Sequence, residues 1–344
     1  MSIVGMAAAH INVDELLEIF GDRIITNAPM AHLTTAQVGG PADAVISVYS
    51  VKELVETTSI LSKLKIPFIL LGGGSNVLVS DAGVRGIVIH NLAREVRFDA
   101  DSQPPTVWAA SGANFGLLAR MSAAKNFTGL EWAAGIPGTV GGAVVGNAGA
   151  HGSEVADNLI LAEILHLNNE SIENFDKTVL PKQEEWSVER MKFAYRSSIL
   201  KRKPMVLTEN LAFKRPAQPE YVVLSALFGL RKGEKDIVRE KILEYASYRR
   251  QTQPSGASMG SMFKNPPGDY AGRLIEAVGL KGKRVGQAEI SRMHGNFFLN
   301  LGGAEASDIW ELLELASDQV EDHFGIKLEL EIELIGDWDF YDER

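Results

Sequence analysis

The sequence contains no cysteine. This absence excludes disulfide bonds, thiolate metal sites and thiol nucleophiles together, and it is typical of proteins from a reducing compartment. The seven histidines are scattered along the chain without an HxxxH pair, so they do not suggest a histidine-bound metal. We therefore expect no metal site.

Positive charge and long apolar runs are also scarce. The 344 residues carry a formal net charge of -10, and no basic stripe stands out that could contact nucleic-acid phosphates. No apolar run approaches the ~18 residues of a membrane-spanning helix, and the N-terminus lacks the basic start of a signal peptide. These features predict a soluble cytoplasmic protein with no nucleic-acid partner and no membrane insertion.

Hydrophobic periodicity predicts an α+β fold that opens with a β-α-β unit. A short helix over 12–20 precedes a strand over 42–50 and an amphipathic helix over 51–65. Residues 67–89 are predicted to form three strands, with a glycine turn between the first two and a second turn before the third. Two prolines within 213–220 indicate an exposed loop, after which the pattern becomes more helical.

Three later segments have helical periodicity, namely 115–126, 234–251 and 306–324, and the last of them ends at Gly325. The side chains expected on the buried faces of the first two are Leu117, Leu118 and Met121, and Ile237, Val238, Ile242 and Leu243.

Residues 327–338 predict a final strand, because apolar and acidic residues alternate strictly. One face carries three leucines and Ile332, and the other carries Glu329, Glu331 and Glu333. Alternation alone does not select one glutamate from the three, since a solvated strand face would look the same.

Two segments lack side chains where a ligand could lie. Residues 72–76 are GGGSN, and residues 133–152 contain seven glycines and no Asp, Glu, Lys or Arg. Backbone N–H groups in such turns form concavities that bind anions such as a diphosphate, and missing Cβ atoms let a flat ligand approach the main chain. Tight turns without a ligand are the alternative, but two such segments, each beside a strand, favour ligand binding.

Two common phosphate-binding motifs are excluded. A Walker loop needs Gly-Lys-Ser/Thr, whereas Gly74 is followed by Ser75 and Asn76. A Rossmann fingerprint opens a helix directly after a strand, whereas here the glycines continue into β-branched residues.

Several separated motifs, in the right order, carry a resemblance to a known family. They are GGPAD (39–43), LLGGGSNVLVSDAGVRGIVI (70–89), GLEWAAGIPGTVGGAVVGNAGAHG (129–152), FAYRSS, GSMFKNPPGDYAGRLIEAVGLKGKRVG and ELEIELIG. Together they resemble the FAD-binding module of the vanillyl-alcohol-oxidase superfamily and, more narrowly, the UDP-N-acetylenolpyruvoylglucosamine reductase family. The resemblance extends from about residue 30 to residue 338.

This resemblance implies a two-part FAD-binding module of the vanillyl-alcohol-oxidase type followed by a smaller α+β substrate domain. We accordingly expect an N-terminal helical segment (1–25), the FAD module (26–215), a substrate-binding domain (216–330) and a strand end and tail that return to the active site (331–344).

The resemblance also implies FAD as cofactor and NADPH as reductant. The glycine-rich segments would then hold the diphosphate and the flavin edge. The residues expected to contact FAD are Gly72, Gly73, Gly74, Ser75, Asn76, Gly135, Ile136, Pro137, Gly138, Gly141, Gly142, Ala143, Asn147 and Gly149.

Members of the family reduce the enolpyruvyl ether of UDP-N-acetylglucosamine, a small-molecule partner, to UDP-N-acetylmuramate for peptidoglycan. By resemblance, Arg196 would hold the substrate carboxylate, Ser261 would donate a proton and Glu331 would assist charge stabilisation or proton delivery. Without the family, Ser255 and Ser258 would be as eligible as Ser261. Tyr195, Lys264 and Asn265 are expected to contact the substrate, although turn formation before Pro266 explains the last two equally well.

The chain departs from the family pattern in places. Ala194, Ser197 and Met262 replace residues that are common in the family, and residues 208–223 look inserted relative to members that lack a mobile substrate loop. Whether Tyr221 closes over a substrate stays open. One alternative is an FAD-dependent alcohol or hydroxy-acid oxidase or dehydrogenase of the same superfamily. Such enzymes often carry a flavin-linking His or Cys, and His151 is the only histidine of the glycine stretch. The other alternative is a non-catalytic UDP-sugar-binding protein.

Overall fold

The computed structural model describes residues 13–167, 181–201 and 219–338. Some of the predictions concern residues outside these ranges, namely 1–12 of the N-terminal segment, 208–218 of the inserted segment with its proline-containing loop, and 339–344 of the tail.

Within these ranges the chain forms eight α-helices, eighteen β-strands and short 3-10 turns. The helices are α1 (Val13–Phe20), α2 (Val51–Lys63), α3 (Phe115–Ala124), α4 (Val140–Gly146), α5 (Val188–Met191), α6 (Lys235–Thr252), α7 (Ala271–Ala277) and α8 (Ala306–Phe324). The strands are β1 (Ile24–Pro29), β2 (Pro41–Val48), β3 (Phe68–Leu71), β4 (Val77–Val79), β5 (Val84–Asn91), β6 (Val96–Asp99), β7 (Thr106–Ala110), β8 (Phe127–Thr128), β9 (Gly149–Ala150), β10 (Ser153–Glu154), β11 (Leu159–His166), β12 (Gln183–Ser187), β13 (Tyr221–Gly229), β14 (Arg231–Lys232), β15 (Arg284–Val285), β16 (Ala288–Ile290), β17 (Phe298–Asn300) and β18 (Glu333–Ile335).

The first sheet has four strands in the order β1-β2-β5-β3. β1 runs antiparallel to β2, whereas β2 and β3 both run parallel to β5. The helix α2 begins after Ser50, whose hydroxyl accepts a hydrogen bond from a backbone N–H of the first turn, and it buries Leu54 and Leu61 in the core with the sheet. The predicted β-α-β opening is confirmed, with α2 ending at Lys63.

The second sheet is antiparallel, with five strands in the order β12-β11-β13-β7-β6. The helices α3 and α4 contribute to its core. The ring of Phe115 in α3 lies 5.6 Å from that of Trp132 and 5.7 Å from that of Phe228 in β13, measured between centroids. These aromatic contacts fasten the glycine-rich segment, which includes α4, to the sheet.

The boundary predicted between residues 215 and 216 would separate β13 from the other strands of the second sheet. β13 lies between β7 and β11 in the middle of the sheet, and α6 packs against α3. Backbone hydrogen bonds to both neighbours leave β13 inseparable from the unit that precedes it. We call the residues after Thr252, where α6 ends, the third unit.

Two predicted helix faces are partly wrong. In α6, Ile237 and Leu243 are 56% and 58% exposed, and in α3, Leu117 is 48% exposed. The periodicity of α3 does not show which side of the helix comes closest to its neighbours. A Cβ on Gly116 would lie 2.8 Å from the carbonyl oxygen of Ile136, so the helix approaches that turn through the glycine and exposes the adjacent leucine.

The third unit packs α7 and α8 against the small sheet β15-β16-β17. Its core includes Phe263, Phe298, Ile309 and Leu313, all of which are buried. As predicted, α8 ends at Gly325, which adopts the left-handed conformation with φ of 67°.

The final segment is not the continuous strand that its alternation predicted. The burial pattern holds, because Leu328, Leu330 and Ile332 are all buried. However, Leu330 makes only an isolated bridge to Phe263, and regular pairing begins at β18, which runs parallel to β4. We call the part of the chain that forms the first sheet and β4 the first lobe, and the part that forms the second sheet with α3 and α4 the second lobe. The segment crosses from the third unit to the first lobe, so no single sheet can pair with all of it.

Asp81 joins these two regions at the start of α8. It lies in the turn between β4 and β5, and its carboxylate accepts hydrogen bonds from the backbone N–H groups of Ala306 at 2.7 Å and Ser307 at 2.8 Å. The first turn of a helix has unpaired N–H groups and a partial positive charge, so a carboxylate from another part of the fold stabilises both.

Replacing Asp81 with alanine should lower the free energy of unfolding by about 1–2 kcal/mol, because the first N–H groups of α8 lose their acceptor. Chemical denaturation of the purified protein measures this change. Asp318→Ala, on the exposed side of the same helix, should change it by less than about 0.5 kcal/mol. Equal effects of the two substitutions would contradict a capping role for Asp81.

Candidate active site

The three predicted catalytic residues come from distant parts of the chain, and the fold brings their segments together. The Nε of Arg196 donates a hydrogen bond to Oε1 of Glu331 at 2.7 Å, and the two side chains are only 25% and 17% exposed. The backbone N–H of Glu331 donates to the carbonyl oxygen of Met262 at 2.8 Å. Because Met262 follows Ser261 directly, the serine lies beside this ion pair in the chain.

Arg196 occupies a tight turn with an uncommon backbone conformation. Ala194 and Ser197 exchange two backbone hydrogen bonds of 3.0 Å each, and Arg196 between them has φ of 53°. A non-glycine residue in the left-handed region costs free energy, and such residues concentrate at functional sites. The turn is held by Asn147, whose Nδ2 donates to the carbonyl oxygen of Ala194 at 3.1 Å.

The glycine-rich segment shapes the space around the arginine. A Cβ on Gly149 would lie 3.2 Å from Nη1 of Arg196, so glycine there makes room for the guanidinium. Asn147 is fully buried, and its Oδ1 accepts a hydrogen bond from the backbone N–H of Ala156 at 3.1 Å. Both polar atoms of the Asn147 side chain are therefore engaged within the protein, and its contact with FAD stays a prediction.

Each of the three glutamates on the final segment pairs with a different cation. The pairs are Glu329–Lys264 at 3.2 Å, Glu331–Arg196 at 2.7 Å and Glu333–Lys201 at 3.5 Å. The two lysine side chains are only 11% and 10% exposed. The sequence analysis did not predict Lys201 as a site residue, because nothing in the sequence except its proximity to Arg196, five residues earlier, indicates such a role. Its Nζ also lies 3.5 Å from the carbonyl oxygen of Glu331.

The predicted substrate contacts have protein partners as well. Asn265 accepts a hydrogen bond from the backbone N–H of Ala271 at 3.1 Å, which is the turn role that the sequence left open. Lys264 is paired with a glutamate, as described above, and Tyr195 is 49% exposed with its ring centroid 5.2 Å from the guanidinium carbon of Arg196.

Tyr221 begins β13, and its ring packs against Trp186 and His166 with centroid distances of 5.1 Å. Tyr221 thus packs within the second sheet in this structure.

The two glycine-rich segments meet main chain to main chain. A Cβ on Gly73 would lie 3.1 Å from Cα of Gly138, and a Cβ on Gly138 would lie 2.6 Å from Oγ of Ser75. Beside this contact, Gly73, Pro137 and Gly142 are exposed. The result is a surface of bare backbone without carboxylates of its own, which fits a diphosphate and a flat ring system.

Some glycines of the predicted cofactor set are required by packing as well. A Cβ on Gly74 would lie 2.0 Å from the carbonyl oxygen of Leu33, and one on Gly141 would lie 2.9 Å from Cβ of Ser111. Ala143 is buried in the core of the second lobe. The remaining predicted contacts are Gly72, Gly135, Ile136 and Gly149.

Asn76 connects the first glycine segment to the main chain around Glu331. Its Nδ2 donates to the carbonyl oxygen of Glu331 at 3.1 Å, and its own carbonyl oxygen accepts from the backbone N–H of Glu333 at 2.9 Å. The loop expected to bind the cofactor thus also fixes the main chain on both sides of Ile332.

Within residues 13–167, 181–201 and 219–338, no group of three or more His, Asp or Glu is arranged to hold a metal ion. In the same part of the chain no helix is both long enough and apolar enough to span a bilayer.

Two family models match the chain. One describes an FAD binding domain and matches residues 42–174, and the other describes the C-terminal domain of UDP-N-acetylenolpyruvoylglucosamine reductase and matches residues 251–335. Proteins named UDP-N-acetylenolpyruvoylglucosamine reductase are similar over nearly the whole length. The one from Rubrobacter xylanophilus is 41% identical over 90% of this chain and 94% of its own, and the one from Bacillus subtilis is 36% identical over 94% and 98%.

A solved structure supports the same relationship. The crystal structure of UDP-N-acetylenolpyruvylglucosamine reductase from Thermus caldophilus has a TM-score of 0.68 and 33% identity, and the match covers 91% of this chain and 98% of that one. The predicted fold, an FAD-binding module followed by an α+β unit, is confirmed.

Two glycines of α4 give a direct test of the cofactor surface. A Cβ on Gly142 would meet only Oγ1 of Thr139 at 3.7 Å, and a Cβ on Gly146 would meet nothing within 4 Å. Only Gly142 belongs to the predicted FAD contacts. Gly142→Leu should weaken FAD binding by roughly tenfold or more, equivalent to about 1.4 kcal/mol, measured by fluorescence titration of the deflavinated protein.

The control is Gly146→Leu, which should leave FAD affinity within about twofold of wild type. Both substitutions should preserve the stability of the deflavinated fold or raise it by up to about 1 kcal/mol, because leucine is a better helix former than glycine. Equal FAD affinities for the two variants would show that the cofactor does not lie against Gly142.

Proposed function

The chain belongs to the UDP-N-acetylenolpyruvoylglucosamine reductase family, and we propose that it reduces the enolpyruvyl ether of UDP-N-acetylglucosamine to the lactyl ether, which yields UDP-N-acetylmuramate. NADPH is the proposed reductant, the cytoplasm the proposed location and peptidoglycan precursor synthesis the proposed role. The observation that carries this proposal is the convergence of Arg196, Glu331 and the Ser261 segment beside the bare glycine surface.

FAD, when bound, supplies the transfer of a hydride that originates from NADPH to the terminal carbon of the enolpyruvyl group. The residues of the chain have two tasks. They stabilise the negative charge that develops beside the substrate carboxylate, and they deliver a proton to the neighbouring carbon. Hydride and proton together complete the addition of two hydrogens across the carbon–carbon double bond.

Arg196 is suited to the developing charge. Glu331 holds its Nε at 2.7 Å, which fixes the plane of the guanidinium, and a substrate carboxylate would be met by the two Nη groups as a planar fork. A donor that is already oriented toward the charge of the transition state contributes about 3–4 kcal/mol. In this role Glu331 orients the arginine.

Ser261 is the proposed proton donor. Its hydroxyl is a weak acid, but a carbanion is a strong base, so the transfer requires mainly a fixed geometry. The backbone supports Ser261 over the other two serines of the segment. The residue after Ser261 bonds to Glu331, whereas Ser258 accepts a hydrogen bond from Oγ1 of Thr35 at its carbonyl, and Ser255 is exposed.

We place the working division of the chain at the end of α6. The proposed FAD module extends over residues 26–252 and the proposed substrate unit over 253–330, with residues 331–338 returning to the first lobe through β18. Catalysis would then take place where the three parts meet.

The oxidase alternative has less support. His151, the histidine of the glycine stretch, stacks on Tyr245 with ring centroids 4.1 Å apart, and burial followed by the nearby Arg249 lowers its pKa. The reductases, by contrast, are 41% and 36% identical over 90% or more of this chain.

The decisive test mixes protein that NADPH has reduced with enolpyruvyl-UDP-N-acetylglucosamine in the absence of oxygen, and follows the flavin absorbance. Wild-type protein should regain its yellow colour within a catalytic turnover. Ser261→Ala should accept electrons from NADPH at the wild-type rate yet be reoxidised at least about 100-fold more slowly, because the proton donor is missing.

Ser258→Ala is the matched control for the serine and should be reoxidised like wild type. If wild-type protein is not reoxidised by the enolpyruvyl substrate, the proposed function is wrong. If Ser261→Ala is reoxidised normally, only the assignment of the proton donor fails.

The ion pairs allow a separate prediction for the glutamates. Glu331→Gln should slow reoxidation by roughly 10- to 1,000-fold, since the arginine loses its orienting charge, whereas Glu333→Gln should change it by less than about threefold. Stopped-flow kinetics of the same half-reaction compares the two variants. Similar losses in both would refute the distinct role given to Glu331.

A further inference from the structure

Asn296 is a buried side chain in RMHGNFFLN, another block that resembles the family, and the proposed mechanism gives it no role. It is 3% exposed and precedes β17 by two residues. Its Oδ1 accepts a hydrogen bond from the backbone N–H of Phe263 at 2.9 Å, and its Nδ2 donates to the carbonyl oxygen of the same residue at 2.7 Å. The amide thereby satisfies both backbone groups of Phe263, as a neighbouring strand would.

The main chain of Asn296 continues this pairing toward the proposed proton donor. The carbonyl oxygen of Asn296 accepts from the backbone N–H of Met262 at 3.0 Å, and the next residue, Phe297, forms an isolated bridge with Ser261. Three consecutive residues, 261–263, are therefore held from one side by two consecutive residues, Asn296 and Phe297.

The other edge of the same segment is held by residues 329–331. The backbone N–H of Glu331 donates to the carbonyl oxygen of Met262, and the backbone N–H of Lys264 donates to the carbonyl oxygen of Glu329, both at 2.8 Å. The serine segment thus lies between the Glu331 segment and Asn296, and its position relative to the Arg196–Glu331 pair depends on both edges.

We propose that Asn296 is the positioning residue of Ser261: through its paired hydrogen bonds to Phe263 it fixes the main chain from which the serine hydroxyl reaches the substrate. This inference rests on the proposed function. Asn296 itself does not touch the reacting atoms. Its effect is geometric, and a displacement of about 1 Å in a catalytic group can cost about 100-fold in rate.

His294 supports the orientation of Asn296. Its Nδ1 accepts a hydrogen bond from the backbone N–H of Asn296 at 3.2 Å, and a Cβ on Gly272 would lie 2.9 Å from its Cε1. Burial, followed by the charge of Lys281, lowers the pKa of His294, which keeps the ring neutral and able to accept at Nδ1. A larger residue at position 272 would collide with the imidazole ring of His294.

The test uses Asn296→Asp and Asn296→Ala in the flavin-loaded protein. The aspartate keeps the volume and one acceptor but faces the carbonyl oxygen of Phe263 without a donor, and the alanine removes both bonds. Reduction by NADPH should keep its wild-type rate in both variants. Anaerobic reoxidation by enolpyruvyl-UDP-N-acetylglucosamine should slow by roughly 10- to 100-fold.

Asn300→Ala is the matched control. Asn300 also bonds the main chain through its side chain, donating from Nδ2 to the carbonyl oxygen of Ala36 at 3.0 Å and accepting from Gly302 and Ala304, but its side chain does not contact residues 261–263. Its substitution should lower thermal stability while both half-reactions continue at wild-type rates.

A solvent deuterium isotope effect provides a readout that lost stability would not change. It should be larger for reoxidation in the Asn296 variants than in wild type, because a misplaced hydroxyl makes proton transfer more rate-limiting. An unchanged reoxidation rate, an unchanged isotope effect or an equal slowing in the Asn300 variant would overturn the proposal.

If the alanine variant does not fold, the aspartate variant decides by the same criteria. Should neither variant bind flavin, Asn296 acts on the fold as a whole and the proposal is overturned. A wild-type protein that the enolpyruvyl substrate does not reoxidise would instead refute the proposed function.

Discussion

The ion pair between Arg196 and Glu331 is the contact on which the arrangement of the site depends. It joins a strained turn of the second lobe to the segment that leads back to the first lobe, and both side chains are largely withdrawn from water. Removing one partner of such a pair leaves a partly buried charge without compensation, which is more costly than losing an exposed salt bridge. The surrounding contacts each fix one end of the pair: Asn147 holds the arginine turn, whereas Asn76 and Met262 hold the main chain of Glu331.

Much of the fold could be predicted from the sequence, because the strongest signals are local. The strands and helix of the opening unit, and the end of α8 at Gly325, follow from periodicity and capping. The family motifs identified Arg196, Ser261 and Glu331, and the structure places their segments together. The sequence could not show which neighbours these elements would meet. The position of β13 in the middle of the second sheet depends on pairing with strands more than 50 residues away in the chain.

The errors share a physical cause, which is that tertiary contacts override a local pattern. Ile237 and Leu243 carry the right periodicity for a buried face, but α6 contacts its neighbours along a narrower stripe. The alternation from Leu328 to Leu334 correctly predicts which side chains are buried. However, the segment passes between two units and therefore does not form one continuous strand. The alternation does not distinguish Glu329, Glu331 and Glu333, and only the fold assigns each of them its own cation. Asn296 lies in a block that resembles the family, but nothing in the sequence gives it a role, and Lys201 carries no sequence signal that separates it from other polar residues.

Asn76 has a consequence for how the two ligands of the site would influence each other. It lies in the glycine loop of the first lobe, and it bonds the main chain on both sides of Ile332, next to the carboxylate that orients Arg196. A molecule that stiffens the loop therefore also stiffens the anchor of the arginine. Because equilibrium linkage is reciprocal, a carboxylate that binds the arginine would then raise the affinity of the loop for its own ligand by the same factor. Retention of the prosthetic group and affinity for the sugar nucleotide would then be a single cooperative property of the folded chain.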